Sequence, residues 1–314
     1  MDHTSDMALL LANMTAPALF LLFGLSGLGG LLFAALSQTV AVTQGRAFCE
    51  KLARQMTAMG FTLTALFLGG GAVMVAVLAA KVPWFAEWIT RPDCWVFALA
   101  ALAALILAGV ARFSWTALHQ RRGLRLTLGL AAGLAALAAV LLLAPTARSY
   151  AAAYLTNGAA RIDPATLFRP GPAALLWPVA ASILFLAVSD AGAVGLLYLV
   201  QRRLKDDYGR DYYNYALPRA AWWGLAGVAP LLACQGMVWL RLSENLRAVV
   251  TQTVLGVQWL AAGVAWLLCL GAWLLLARSK APLRLKWLAL AGLVLTWAGH
   301  ALLMTVLAIL TSLT

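Results

Sequence analysis

Hydrophobic positions along this chain do not alternate with polar ones; they run on. Apolar stretches at roughly 12–41, 57–80, 95–114, 126–146, 173–201, 221–240, 252–277 and 287–312 each reach the length at which a helix can cross a bilayer, about 18 residues. In hydrocarbon every backbone N–H and C=O must find its partner inside the segment, so these stretches are predicted as helices. Short connections separate them, which leaves no room for a soluble module. The pattern predicts an all-α integral membrane protein with eight transmembrane helices. A content of 63% apolar and 11% charged residues supports that reading against a soluble globule.

The polar positions between the stretches set an orientation. Of the 23 Lys and Arg, sixteen fall in alternate connections: Arg46, Lys51 and Arg54; Arg112, Arg121, Arg122 and Arg125; Arg202, Arg203, Lys205, Arg210 and Arg219; Arg278, Lys280, Arg284 and Lys286. Short cationic loops stay cytoplasmic, so both termini are expected on the outer side. The net charge of +12 is therefore read as an orientation signal and an anchor to the lipid bilayer's anionic headgroups, with no nucleic-acid partner expected. Asp2 and Asp6 precede the first span without any Lys or Arg, unlike a cleaved secretory signal, so that span is expected to be retained. Cys49, Cys94, Cys234 and Cys269 form no CxxC or disulfide framework. The stretch RRLKDDYGRDYYNYALPRAAWW (202–223) suggests an interfacial helix between spans five and six, with a docking surface as the alternative.

Two halves resemble each other. Leu124-Arg125-Leu126 opens span four as Leu283-Arg284-Leu285 precedes span eight, and Pro17 opens span one as Pro172 opens span five. Four spans in each half, in the same orientation, predict a parallel four-plus-four repeat, residues 1–160 and 161–314. The first half is smooth and rich in small residues (Gly69, Gly70, Gly71, Gly129, Gly133) that suit close helix packing. Polar residues collect in the second.

Those residues are Asp190, Gln235, Gln258 and His300, one on each of four spans. Counted from the basic ends, Asp190 lies 12 residues before Arg202, Gln235 14 after Ala221 and His300 14 after Lys286. At about 1.5 Å per residue these are depths of about 18–21 Å, and Gln258, counted from the opposite end, falls at a similar level. One polar layer is expected, with His300 as the partner of Asp190. An ionisable side chain at such depth usually faces the bundle interior. Three readings stay open: a structural hydrogen-bonded clamp, a quinone-headgroup or proton-relay site, and an ion or solute pathway. Trp239, Trp259 and Trp297 lie within about one turn of the layer and could wall a quinone ring. No metal ligand set is read. Of His3, His119 and His300 only the last is in a span, with Met304 on its own face and Met237 on span six, so no haem is assigned to the chain.

The first inner connection, AVTQGRAFCEKLARQMTAMGFTLTALFLGG, together with Gly24-Leu25-Ser26, the Thr43–Gly45 turn, the glycine-rich span two and Trp177-Pro178, resembles subunit I of cytochrome bd quinol oxidases. It is similar also to shorter bd-like membrane subunits that accompany multihaem cytochromes. That resemblance implies an inner (cytoplasmic) membrane protein of a bacterium, other subunits carrying haem or iron–sulfur cofactors, and a quinone. The family's haem-ligating histidines lie in its first and fifth helices; here neither span has one, and Ser182 stands near the fifth-helix position. The family's long quinol-binding loop after helix six is replaced by the short connection Leu242–Thr251. The resulting expectation is a haem-less subunit of a respiratory electron-transfer complex, with a cavity around Asp190 and His300 that faces a quinone or conducts protons. The alternatives are a small-solute or ion transporter and a purely structural membrane anchor.

Overall fold

The structure is a computed structural model that describes residues 3–118, 120–158, 168, 171, 174–205 and 208–313, with side chains described between 11 and 306. His119, Pro172 and the junction at 160/161 lie outside the described residues, as does the side chain of His3. Among the described residues ten α-helices follow in chain order: α1 (His3–Gln44), α2 (Ala47–Lys81), α3 (Pro83–Trp88), α4 (Pro92–Phe113), α5 (Arg122–Leu155), α6 (Leu176–Arg202), α7 (Gly209–Arg241), α8 (Glu244–Gln252), α9 (Val254–Arg278) and α10 (Lys286–Leu313). A 3₁₀ turn, Pro282–Leu285, leads into α10. Among the described residues eight helices are long and apolar enough to span a membrane, namely all but α3 and α8, and there is no strand.

Packing arranges these eight in two rings. In the first, α1 meets α2, α2 meets α4, α4 meets α5 and α5 returns to α1. In the second, α6 meets α7, α7 meets α9, α9 meets α10 and α10 returns to α6. The rings join where α1 packs on α6 and α10, and where α5 packs on α6. Burial follows: 67% of the most apolar window of α1 and 61% of that of α6 lie inside the protein, against 6% for α2, whose second half faces outward.

Small residues make these approaches possible. A Cβ on Gly29 of α1 would overlap the carbonyl oxygen of Ala187 on α6, so the rings meet backbone to backbone there. A Cβ on Gly192 of α6 would likewise strike the backbone of Gly224 on α7. In lipid, where hydrophobic exclusion does not drive helices together, such close van der Waals contact is a main source of association.

Several helices outrun their apolar stretches at the arginine-rich end. Helix α2 begins at Ala47 rather than near 57, and α7 begins at Gly209 rather than near 221. The tyrosine-rich stretch is therefore no separate interfacial helix: Tyr212 and Tyr213 are buried in the first turn and a half of α7. Tyr212 donates to Oε1 of Gln55 on α2 at 2.5 Å, and Cys49 Sγ lies 2.8 Å from the Tyr215 hydroxyl. Partner groups on α2 let this polar sequence continue as buried helix, which a hydropathy window cannot register. At the other end, Trp84, Phe85 and Trp88 of α3 pack on Tyr150 of α5. Beneath them the Trp88 indole donates to Ser149 Oγ at 3.0 Å, and the Ser149 hydroxyl donates to the carboxylate of buried Asp93.

Candidate functional site

Asp190 sits on α6 in the run Ser189–Leu196, every member of which is buried. Small neighbours, Ala191, Gly192 and Ala193, let α7 and α1 close over it, so its carboxylate is fully enclosed. From α10, His300 enters the same interior with 1% exposure. Its Nε2 lies 3.0 Å from Oδ1 and also 3.0 Å from Oδ2, with hydrogen-bond geometry satisfied at Oδ1. The two residues lie 110 positions apart in the chain, and the structure brings them together as the polar spacing predicts.

Trp266 of α9 flanks the imidazole, its ring 5.8 Å from that of His300 at 66°, an edge-to-face arrangement. One turn below His300, Thr296 donates to Gly292 O at 2.7 Å and faces Cys269 Sγ at 3.6 Å. Ser189 Oγ and Asp190 Oδ2 are buried without hydrogen-bond partners among the described residues. The pair therefore carries unused polar capacity in a dry setting.

The two glutamines do not share this level. Gln235 donates from Nε2 to Ser182 Oγ at 3.3 Å, and Ser182 precedes Asp190 on α6 by eight residues, about 12 Å. The packing of Gly299 on Trp266 places His300 opposite the 265–266 region of α9, so Gln258 lies seven or so residues, about 10 Å, farther from the arginine-rich end. The expected single layer is thus two: a deep acid–imidazole pair and a distal pair of amides. The error for Gln235 comes from the origin of the count, since α7 starts twelve residues before Ala221.

The expected aromatic wall also divides. Trp239 and Trp259 pair edge to face at 5.7 Å beside Val250 and Val306, at the distal level. Trp297 turns away from its neighbour His300 and donates its indole N–H to Thr15 O on α1 at 2.9 Å. Trp266, absent from the expected set, takes the place against the imidazole. The depth count would have found it, because Trp266 precedes Arg278 by 12 residues, as Asp190 precedes Arg202.

No family model and no curated protein matches this sequence. Solved structures do: the chain superposes on the bd oxidase from Geobacillus thermodenitrificans with a TM-score of 0.73, covering 97% of this chain and 87% of that one at 14% identity. The fold is bd-oxidase-like. At that identity the likeness reaches the backbone and stops short of the chemistry.

A haem, which that fold family implies, needs axial donors converging from opposite sides of an iron. The residues around His300 do not present such a pair. His300 Nε2 is committed to Asp190, Met304 shares the helix of His300, and Met237 is 46% exposed on the outer side of α7. Among the described residues no group of three or more His, Cys, Asp or Glu could hold a metal ion.

What remains is an isolated carboxyl–imidazole pair bridging two helices in the second ring. With one proton between them the two groups are net neutral, as acid and imidazole or as carboxylate and imidazolium. Gain or loss of a proton leaves one unit of charge in a low-dielectric interior, so proton transfer here responds strongly to any charge that appears nearby.

Proposed function

We propose that this protein is a haem-less integral subunit of a bacterial respiratory electron-transfer complex, in the cytoplasmic membrane with both termini outside, and that Asp190 and His300 hold and exchange a proton as electrons pass through the complex. The observation that carries the reading is the 3.0 Å contact between two fully buried titratable groups on α6 and α10. A structural clamp needs only one satisfied hydrogen bond; among the described residues, Oδ2 of this pair and the adjacent Ser189 hydroxyl are buried without one. The bd-oxidase-like fold and the arginine-rich faces of alternate connections support the setting. Haem or iron–sulfur partners supply the electron chemistry.

A second reading places a quinol at the distal amides. Among the described residues Gln258 Oε1 is buried without a donor, one residue from Trp259 of the Trp239–Trp259 pair, and a quinol hydroxyl could donate to it. The transporter and pure-anchor alternatives lack a comparable observation.

The test uses the membrane complex purified from cells carrying Asp190→Asn, His300→Gln or Gln258→Leu. Proton uptake per electron is measured in liposomes with an added quinol as donor. Loss of proton uptake in the first two variants with electron transfer retained supports the proton role. Loss of quinol oxidation in Gln258→Leu alone supports the distal site. Unchanged uptake and oxidation in all three, or a chain that purifies without redox partners, would refute the assignment.

A further inference from the structure

Apart from the buried pair, a groove of about 430 Å³ opens at the arginine-rich end, between α1, α2 and α7. Its two ends differ in character. Arg46 and Arg219 stand at the mouth, both exposed, and neither has an acidic partner among the described residues; no acidic side chain lines the groove. The Arg219 guanidinium rests 5.4 Å from the Tyr215 ring, which fixes it over the opening. Away from the mouth the lining turns apolar, through Val40 and Leu36 to Phe33. From Gln44 to Phe33 is eleven residues of α1, about 16 Å toward the membrane interior.

Two tryptophans complete the wall. Trp222 is 47% exposed, and Trp223 stacks on Phe33 at 4.7 Å and 7°. The Trp223 indole N–H is buried without an acceptor among the described residues. A cationic mouth and an apolar slot beneath it follow, in order, the phosphate and the acyl chain of a phospholipid. We propose that this groove is a specific binding site for one anionic phospholipid, with Arg46 and Arg219 holding its phosphate and Phe33, Leu36 and Trp222 contacting an acyl chain. Arginine suits the role because its planar donors match phosphate oxygens. The bare excess of cations at this end is spread over four connections, whereas the groove concentrates two of them above an apolar slot of lipid dimensions.

The experiment is native mass spectrometry of the full chain, with its accompanying subunits, in detergent containing equal phosphatidylglycerol and phosphatidylcholine. One phosphatidylglycerol is expected to survive delipidation in preference to phosphatidylcholine. R46Q/R219Q should lower that occupancy about tenfold, since each cation near a membrane surface contributes on the order of a fewfold or more. R121Q/R122Q, which removes two exposed arginines from the same end outside the groove, should leave it unchanged. Both substituted pairs are solvent-exposed, and a second readout does not depend on charge: quenching of tryptophan emission by brominated phosphatidylglycerol should fall in W222F. Equal retention of the two lipids, equal losses in the two double variants, or quenching indifferent to W222F would each overturn the site.

Discussion

Two acid–base pairs join helices in this molecule under opposite electrical conditions. Glu50 of α2 and Arg125 of α5 meet at 2.7 Å at the arginine-rich end, where Arg125 is buried over the Trp115 ring and Glu50 stays 30% exposed. Asp190 and His300 meet at 3.0 Å in the interior, with 0% and 1% exposure. An arginine keeps its proton at any physiological pH, so the first pair is a fixed clamp whose acid can still draw on water. An imidazole can gain or lose its proton, so the second can change its charge and has no solvent to absorb the change. Burial alone does not separate a strut from a proton site; the titratable partner does.

The comparison is tested most severely by removing one member of the deep pair. His300→Leu leaves Asp190 without its partner and should destabilise the protein by about 3–5 kcal/mol, measured by reversible unfolding in mild detergent. Asp190→Asn keeps a hydrogen-bonding group and should cost less, about 1–3 kcal/mol, while removing the carboxyl that exchanges the proton with His300. A smaller loss, about 1 kcal/mol, is expected for Glu50→Gln, because the exposed acid is already partly hydrated. Ionic strength sharpens the contrast further: at 1 M salt, where the Debye length is about 3 Å, the Glu50→Gln penalty should shrink and the His300→Leu penalty should not. A loss of similar size, about 0.5–1.5 kcal/mol, is expected for Trp297→Phe, which removes the hydrogen bond to Thr15 without altering proton uptake. Equal penalties with equal salt sensitivity at the two pairs would erase the distinction.

The spans and the deep pair were legible for the same reason. Asp190 and His300 were measured from Arg202 and Lys286, which are the true ends of α6 and the true start of α10, so counting residues gave their depth correctly. Gln235 was measured from Ala221, where hydropathy rises, but α7 begins at Gly209 and hides its early turns behind Arg210, Asp211, Asn214 and Arg219. Those turns are stabilised by partners from α2, such as Gln55 and Cys49, and no local pattern encodes a contact 157 or 166 residues away. The orientation of Trp297 toward α1, and the packing of Trp266 on the imidazole, are likewise set by which helices become neighbours. Spacing fixes depth well and azimuth poorly.

The most direct measurement on the buried pair is a redox-triggered infrared difference spectrum of the intact complex, read at the carboxylic acid stretch in water and in deuterium oxide. A carboxyl band that changes with turnover, disappears in Asp190→Asn and shifts in His300→Gln is the expected result. A difference spectrum that Asp190→Asn leaves untouched, in a complex still transferring electrons and taking up protons, would show that the carboxyl is only a strut.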